Sequence, residues 1–373
     1  MATLSDSEHH ANLDGQADGV TPTAPNATPP VPDHPAVADT QDQTLQTSGP
    51  VGTDEHIHQI EALKVHLARE GLYRPATDET PASHNDATLL YVYLRFLGLE
   101  RAFTVSNADT RVKIYIHTHT RRFLRARSYD LDKAATHFAR TEAWRKQHDV
   151  DALFNTFDDV DALESSRRFY PRWTGRRDKH GLPLYVYRLA SLDNALRREL
   201  DAVPPEKRYQ RIVVLYECMI RFVLPLCDYI PHDPPTLPIS SVTTIIDLGD
   251  VSLRDMWSLR SHHQQASTMA TANYPETLHT IAIVNSPSFF PTVWNWIKGW
   301  FDEGTRRKIH ILGKDPGETL RELIDEEDLP ESYGGKLKWV FEDEPCLDNA
   351  IQKAIGEMPK GPITFIDGSV IRP

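Results

Sequence analysis

Two basic runs and one isolated carboxylate carry the chemistry most readily seen in this chain. Arg121, Arg122, Arg125 and Arg127 cluster in one stretch, and Arg306, Arg307 and Lys308 in another, directly after the most aromatic segment of the sequence. Either run alone has the composition of a solvated basic face. Lys308 differs because it opens a β-branched run that reads as a buried strand, and Glu276 is similarly placed after Tyr274-Pro275, just ahead of another such run. Charged groups at these element boundaries could serve a phosphorylated headgroup.

Other chemistries lack their residues. The loops after the three clearest strands are Leu248-Gly249-Asp250-Val251, Asn285-Ser286-Pro287-Ser288 and Gly313-Lys314-Asp315-Pro316-Gly317, without the glycine spacing that cradles a nucleotide phosphate. No Gly-x-Ser-x-Gly elbow presents a nucleophile and no His-Glu-x-x-His presents a metal, so neither a catalytic residue nor a metal site is expected. His117-Thr118-His119 and His262-His263 have no Cys, Asp or Glu nearby to complete a metal site and are expected to be surface histidines. Cys218, Cys227 and Cys346 show neither disulfide nor zinc spacing and read as thiols in a reducing compartment.

From Phe289 to Phe301, eight large apolar side chains fall in thirteen positions, among them three of the seven tryptophans. Phe290, Val293, Trp294, Ile297 and Phe301 fit one helical face, which ordinary core packing would explain. Phe289, Trp296 and Trp300 exceed that face. Tryptophans flanking an apolar helix beside Lys298 have the composition of an element that dips into a membrane interface, or of a movable lid over an apolar cavity.

Several elements must position these groups. The chain has 373 residues and a formal charge of −12, which disfavours a nucleic-acid binder. Ten acidic residues and no Lys or Arg lie between Met1 and Leu63, so the remainder is nearly neutral and can approach an anionic surface. Residues 1–52 hold seven prolines and no aromatic residue, and are expected to be a disordered acidic tail. A helical lobe is expected over 53–150, with Ile57, Ile60, Leu63 and Leu67 at helical spacing before Gly71, and a second amphipathic helix from Asp130. Tyr209 to Leu226 reads as a buried helix. Val242 to Asp247, Thr280 to Val284 and Lys308 to Leu312 read as strands separated by helix-length segments, a βαβαβ pattern with a mainly parallel sheet. An α/β domain is therefore expected over 151–345, with a weakly patterned tail over 346–373. With neither a leader pattern nor an apolar run long enough for a bilayer, a soluble cytoplasmic monomer is expected.

In this order, Phe123-Leu124-Arg125-Ala126-Arg127, Phe169-Tyr170-Pro171, Asp178-Lys179-His180-Gly181-Leu182-Pro183, Thr244-Ile245-Ile246-Asp247, Asn273-Tyr274-Pro275-Glu276, Asn285-Ser286-Pro287, Lys308-Ile309-His310-Ile311-Leu312-Gly313 and Leu329-Pro330 with Tyr333-Gly334-Gly335 resemble the CRAL-TRIO lipid-binding family, in its phosphatidylinositol transfer branch. The resemblance runs from about Thr53 to Glu344. It implies a helical N-terminal lobe beside an α/β lobe that encloses an apolar lipid cavity, with no enzyme activity and no cofactor beyond the bound phospholipid. Glu276 and Lys308, with Arg127, Asp178 and Thr305, match the family's inositol headgroup positions, where a carboxylate accepts from ring hydroxyls and cations take the phosphate. Tyr185 and Thr244 match a second-lipid pocket for phosphatidylcholine. Phe290, Val293, Trp294, Ile297, Trp300 and Phe301 match the gate helix, within Ser288 to Asp302, that opens in transient contact with a membrane, Golgi and endosomal membranes being the candidates.

Three departures stand out. Ser128 replaces the family's headgroup lysine. Thr174 and Val242 replace a tyrosine and a serine of the phosphatidylcholine pocket, which keeps a sterol or isoprenoid open as the ligand. Leu89-Leu90 and Phe123, joined directly in the family, are separated here by Tyr91 to Arg122, and the insert at about 91–121 reads as a retained intron or a looped-out insertion.

Overall fold

The computed structural model describes residues 54–73, 122–233, 239–301, 303–366 and 368–372. The expected acidic tail and the insert at 91–121 lie outside the described residues.

Helix α1 (Asp54–Arg69) presents Leu63 and Leu67 to a small core. A helical turn at 122–125 adds Phe123 and Leu124 to it, and helix α2 (Leu131–Gln147) adds Ala134, Ala135 and Phe138. Asp130 starts α2 as its N-cap, accepting the Lys133 N–H at 3.0 Å. Phe123 meets Phe138 edge-on at 5.3 Å. Short helices α3 (Val150–Asn155) and α4 (Val160–Ser166) lead into the sheet.

Among the described residues the main sheet has five strands in sequence order: β1 (Arg172–Arg177), β2 (Pro183–Arg188), β3 (Val242–Asp247), β4 (Leu278–Val284) and β5 (Ile309–Ile311). The first pair is antiparallel and the rest are parallel, as the βαβαβ pattern requires. The β1–β2 turn depends on Gly181, whose φ is +83° and whose Cβ would lie 2.4 Å from the His232 Cβ. After β2 come α5 (Asn194–Ala202) and α6 (Pro205–Cys218).

The single buried helix expected over Tyr209 to Leu226 is instead α6, a π-helical segment over Met219–Val223 and α7 (Leu224–Tyr229). Pro225 has no N–H to give and its ring would clash with a carbonyl one turn back. The wider turn, in which the Leu224 N–H reaches the Met219 oxygen, lets the chain pass the proline without ending the helix.

Between β3 and β4 runs α8 (Leu253–Asn273), opened by a capping box of Ser252 and Asp255. Helix α9 (Phe290–Ile297), a 3-10 turn at Lys298–Trp300 and α10 (Glu303–Arg307) join β4 to β5. Helix α11 (Gly317–Leu323) follows.

The weakly patterned tail expected from 346 onward is corrected by the structure. Cys346 and Asp348 donate backbone N–H groups to Thr174 O (2.7 Å) and Gly175 O (3.1 Å) along β1. Gly175 is required there, because a Cβ would come within 2.6 Å of the Cys346 backbone. Helix α12 (Asn349–Ile355) and the hairpin β6 (Thr364–Ile366) and β7 (Ser369–Ile371) then place Ile351, Ile363 and Phe365 in the main core. Phe365 packs edge-on against Phe222 and Tyr229.

A buried ionic knot joins α2 to the α/β lobe. The Glu217 carboxylate is fully enclosed and accepts from Arg145 (2.8 Å), Arg221 (2.7 Å) and the Tyr274 hydroxyl (2.7 Å). Burial by itself would raise its pKa, but the two guanidiniums and the phenol outweigh burial and hold the carboxyl down at about 2. Trp144 Nε1 donates to the Tyr209 hydroxyl (2.8 Å), and Thr141 donates to Ala272 O (3.2 Å).

Candidate functional site

Strand periodicity turns Tyr185 and Tyr187 of β2, Val242, Thr244 and Ile246 of β3, and Ile281 and Ile283 of β4 toward one face of the sheet, where they line a cavity of about 400 Å³. Helix α8 supplies a wall through Met256, Arg260, His263, Ser267 and Ala270, spaced three and four residues apart, and Tyr274 at its C-cap continues the series. Helix α9 and the turn after it close the space. Most of the lining is aliphatic or aromatic, which suits acyl chains and leaves charge to be handled at the ends.

The charged cluster forms where Arg125, Glu276 and Lys308 come together from three separate parts of the chain, with Arg127 and Thr305 lining the same cavity. Lys308 Nζ donates to Glu276 Oε2 at 2.9 Å, and an Arg125 guanidinium nitrogen lies 3.4 Å from the same oxygen. The Lys308 and Glu276 side chains are only 18% and 13% exposed, so solvent screens the pair little. Glu276, Arg127, Thr305 and Lys308 all line the cavity. Two cations, Arg125 and Lys308, against one carboxylate leave the cluster net positive, which suits a phosphate, while the carboxylate can accept from hydroxyls.

Local structure explains how Glu276 is presented. Tyr274 is pinned by its hydroxyl to Glu217 and restricted by the proline that follows it, Pro275 has its own φ fixed, and Glu276 takes a left-handed φ of +57° before β4 begins. That backbone costs about 1 kcal/mol for a residue with a Cβ and is held by its anchored neighbours. Behind the cluster, burial and then the positive charge of Lys308 and Arg125 push the His279 imidazole down to about 4, so it is neutral at pH 7. Lys308 follows α10, whose Thr305 carbonyl accepts its N–H at 3.1 Å.

Asp178 is not brought into this cluster. Its side chain accepts from the His180 and Leu182 N–H groups (2.9 Å each) and from Thr243 Oγ1 (2.7 Å), and it is absent from the cavity wall. Burial raises its pKa despite those donors. The position forms the β1–β2 turn, and its sequence motif is accounted for by that turn. Ser128 is exposed, with a φ of +49°, and also lies off the wall.

Tyr185 and Thr244, the two expected second-lipid positions, are register partners on β2 and β3 and both line the cavity, as does Val242. Thr174 does not: it is fully buried on β1, donating to Leu184 O (3.0 Å) and accepting from the Arg176 N–H (3.1 Å).

All six expected gate residues line the cavity. Phe290 and Val293 are buried, while Trp294, Ile297, Trp300 and Phe301 are partly covered. Trp296 is 48% exposed and meets the 53% exposed Trp257 of α8 edge-on at 5.6 Å. Arg260 lies over the Trp257 ring at 4.2 Å. Sequence reasoning missed Trp257 and Arg260 because they lie on another element. The three- and four-residue spacing of the inward face of α8 was the available signal.

His262 and His263 are not surface residues, contrary to expectation. Both line the cavity, His262 near the Tyr170 ring and His263 with Nε2 at 2.9 Å from the Tyr187 hydroxyl. The isolated pair gave no sign that one side of α8 faces an apolar space. Among the described residues, no group of three or more His, Cys, Asp or Glu side chains could hold a metal, and no helix is long and apolar enough to cross a membrane.

The chain is similar in sequence to known proteins. The CRAL/TRIO domain model matches residues 170–335. The Sec14 cytosolic factor of Schizosaccharomyces pombe is 34% identical over 217 residues, covering 58% of this chain and 73% of that protein. A phosphatidylinositol/phosphatidylcholine transfer protein of Arabidopsis thaliana, SFH9, is 33% identical over 222 residues, 59% of this chain and 37% of that longer protein. The crystal structure of Sfh5 aligns with 63% of this chain and 76% of its own at 19% identity and a TM-score of 0.47. With a parallel sheet and aromatic helix enclosing an apolar cavity, and relatives matched across most of the folded region, the chain belongs to the CRAL/TRIO family.

Proposed function

We propose that the protein is a phospholipid carrier that lifts phosphatidylinositol out of a membrane, shields its acyl chains in the cavity and delivers it to another membrane, with phosphatidylcholine as the exchange ligand. The observation that carries this reading is the net-positive Arg125–Glu276–Lys308 cluster bordering an apolar cavity closed by an aromatic helix. Relatives named as phosphatidylinositol/phosphatidylcholine transfer proteins support it.

The work done is solvation rather than bond chemistry. Moving two acyl chains through water costs about 0.8 kcal/mol per CH₂, and enclosing them removes most of that barrier. In this role the protein is not an enzyme, needs no cofactor beyond its lipid, and works as a cytoplasmic monomer that touches Golgi or endosomal membranes transiently. The cytosolic relative and the exposed Trp257 and Trp296 support that placement. Arg125 and Arg127 supply positive charge where the family's lysine is replaced by Ser128.

Transfer of labelled phosphatidylinositol between vesicles tests the proposal. Lys308→Ala should lower uptake about a hundredfold, the loss expected for one charge-assisted contact to phosphate worth about 2–3 kcal/mol. Arg125 remains near Glu276 in that variant, so the fold is retained. Unchanged transfer by the folded variant would overturn the assignment of the headgroup site.

A further inference from the structure

The exposed residues of the cavity lining fall into two groups. Trp257, Arg260 and Trp296 stand beside the aromatic helix. Glu344 and Lys360 form the second group, and the partly buried Pro345, Met358 and Pro359 line the cavity with them. The aromatic helix joins β4 to β5, whereas this second stretch belongs to chain that pairs with the outer edge of β1 at Cys346 and Asp348. With strands about 4.8 Å apart, β1 and β5 stand about 19 Å from each other across the sheet, so the two stretches come from elements on opposite sides of it.

Residues 357–360 have the build of a flap. Helix α12 ends at Gly356, whose φ is +71° and beside which a Cβ would meet nothing within 4 Å. At the other end Gly361, with a φ of +83°, donates its N–H to Glu164 Oε1 at 2.9 Å. Among the described residues, Glu357 and Met358 make no backbone–backbone hydrogen bond. The flanks are fixed, because Ile351 and Ile363 are buried in the main core. A hinge without neighbours and a latch on Glu164 thus bracket four residues of low local stability. They lie outside 170–335, the residues that the CRAL/TRIO model matches.

Filling the cavity gives such a flap something to do. A space of about 400 Å³ holds on the order of ten waters at about 30 Å³ each. Acyl chains that enter past the aromatic helix occupy the mouth those waters would leave by. A second opening on the far side of the sheet lets water go out as lipid comes in, and come back as lipid leaves.

We propose that residues 357–360 are a rear door of the cavity, hinged at Gly356 and latched at Gly361, that passes water while lipid passes the aromatic helix. A door of this kind sets how fast the cavity fills and empties. It does not set how tightly lipid is held, because the closed states before and after loading are the same with or without it. The inference rests on the carrier role proposed above, in which lipid enters beside α9.

Val160→Cys with Gly361→Cys tests this in the full chain. A Cβ on Gly361 would stand 3.9 Å from the Val160 Cβ, a separation that a disulfide spans, so oxidation pins the latch. Loading of fluorescent phosphatidylinositol from phosphatidylcholine vesicles, and its release, are timed in the oxidised and the reduced protein, with the bridge confirmed by peptide mass. Oxidation should slow both rates by the same factor, on the order of tenfold, and leave the occupancy at equilibrium unchanged. Gly356→Ala makes the left-handed φ of the closed flap costly without a clash, so it should speed both rates on the order of tenfold, and it decides alone if the bridge does not form. Hydrogen exchange reads the opening without lipid: the Gly361 amide should exchange on the order of a hundredfold faster than the Ile245 amide of β3. Rates that do not respond to oxidation or to Gly356→Ala, a changed occupancy at unchanged rates, or a Gly361 amide as protected as that of Ile245 would overturn the proposal. Absence of phosphatidylinositol loading in the unmodified protein would count against the proposed carrier function, and the exchange comparison would then decide whether the door exists.

Discussion

Glu217→Gln tests the buried knot that links the helical lobe to the lipid site. The substitution keeps the side chain's size and an acceptor for the Tyr274 hydroxyl, but removes the buried one of the two carboxylates that Arg145 and Arg221 share, leaving them the more exposed Asp151. A carboxyl held at about 2 instead of its ordinary 4.5 corresponds to about 3 kcal/mol of stability at pH 7. Because the folded pKa is the lower one, that contribution is complete above the unfolded value and fades as pH falls toward 2. At pH 3.5 it should have dropped to about 2 kcal/mol. Urea unfolding of both proteins at pH 7, 5 and 3.5 therefore predicts a gap of about 3 kcal/mol at the first two values and a narrower one at the third. Tyr274 leads directly to Glu276, so the variant should also take up phosphatidylinositol less well while still folded. Equal stability at pH 7, or a gap that does not change with pH, would refute the argument that the carboxylate's charge holds the two parts together.

Changing the exposed pair Trp257 and Trp296 to Ala should alter stability by less than about 0.5 kcal/mol yet weaken vesicle binding roughly tenfold, measured by sedimentation with lipid, if these rings meet the interface. Phe365→Ala should cost about 3–5 kcal/mol in thermal or urea unfolding, because the terminal hairpin packs this ring against Phe222 and Tyr229. A loss below about 1 kcal/mol would mean that the C-terminal segment is an appendage and not part of the core.

Where local pattern and tertiary role coincide, the elements could be read without coordinates. Val242–Asp247 and Leu278–Val284 are short and β-branched because both faces of a parallel strand are covered, and that shows in any single strand. The Asp130 cap and the Ser252 capping box are equally local. The C-terminal segment was not legible, since seven-residue α12 buries only Ile351 and three-residue strands are too short to show a period. The π-helical segment was hidden for a different reason: Pro225 marks a break, but only the packing of the segment shows that the helix continues past it.

The sequence by itself determined the parallel-sheet architecture, the aromatic helix, and the identities of Glu276 and Lys308 as unusual charges at strand ends. Tertiary structure decided which of those charges meet. It brought Arg125 to Glu276, far apart in the chain, and Lys308 to the same carboxylate from 32 positions on, and it kept Asp178 for a turn. It also turned His262 and His263 inward. The physical reason is that strand and helix periods are set over a few neighbouring residues, whereas the partner of a buried charge, or the face of a helix that borders a cavity, depends on chain segments whose approach no local period encodes.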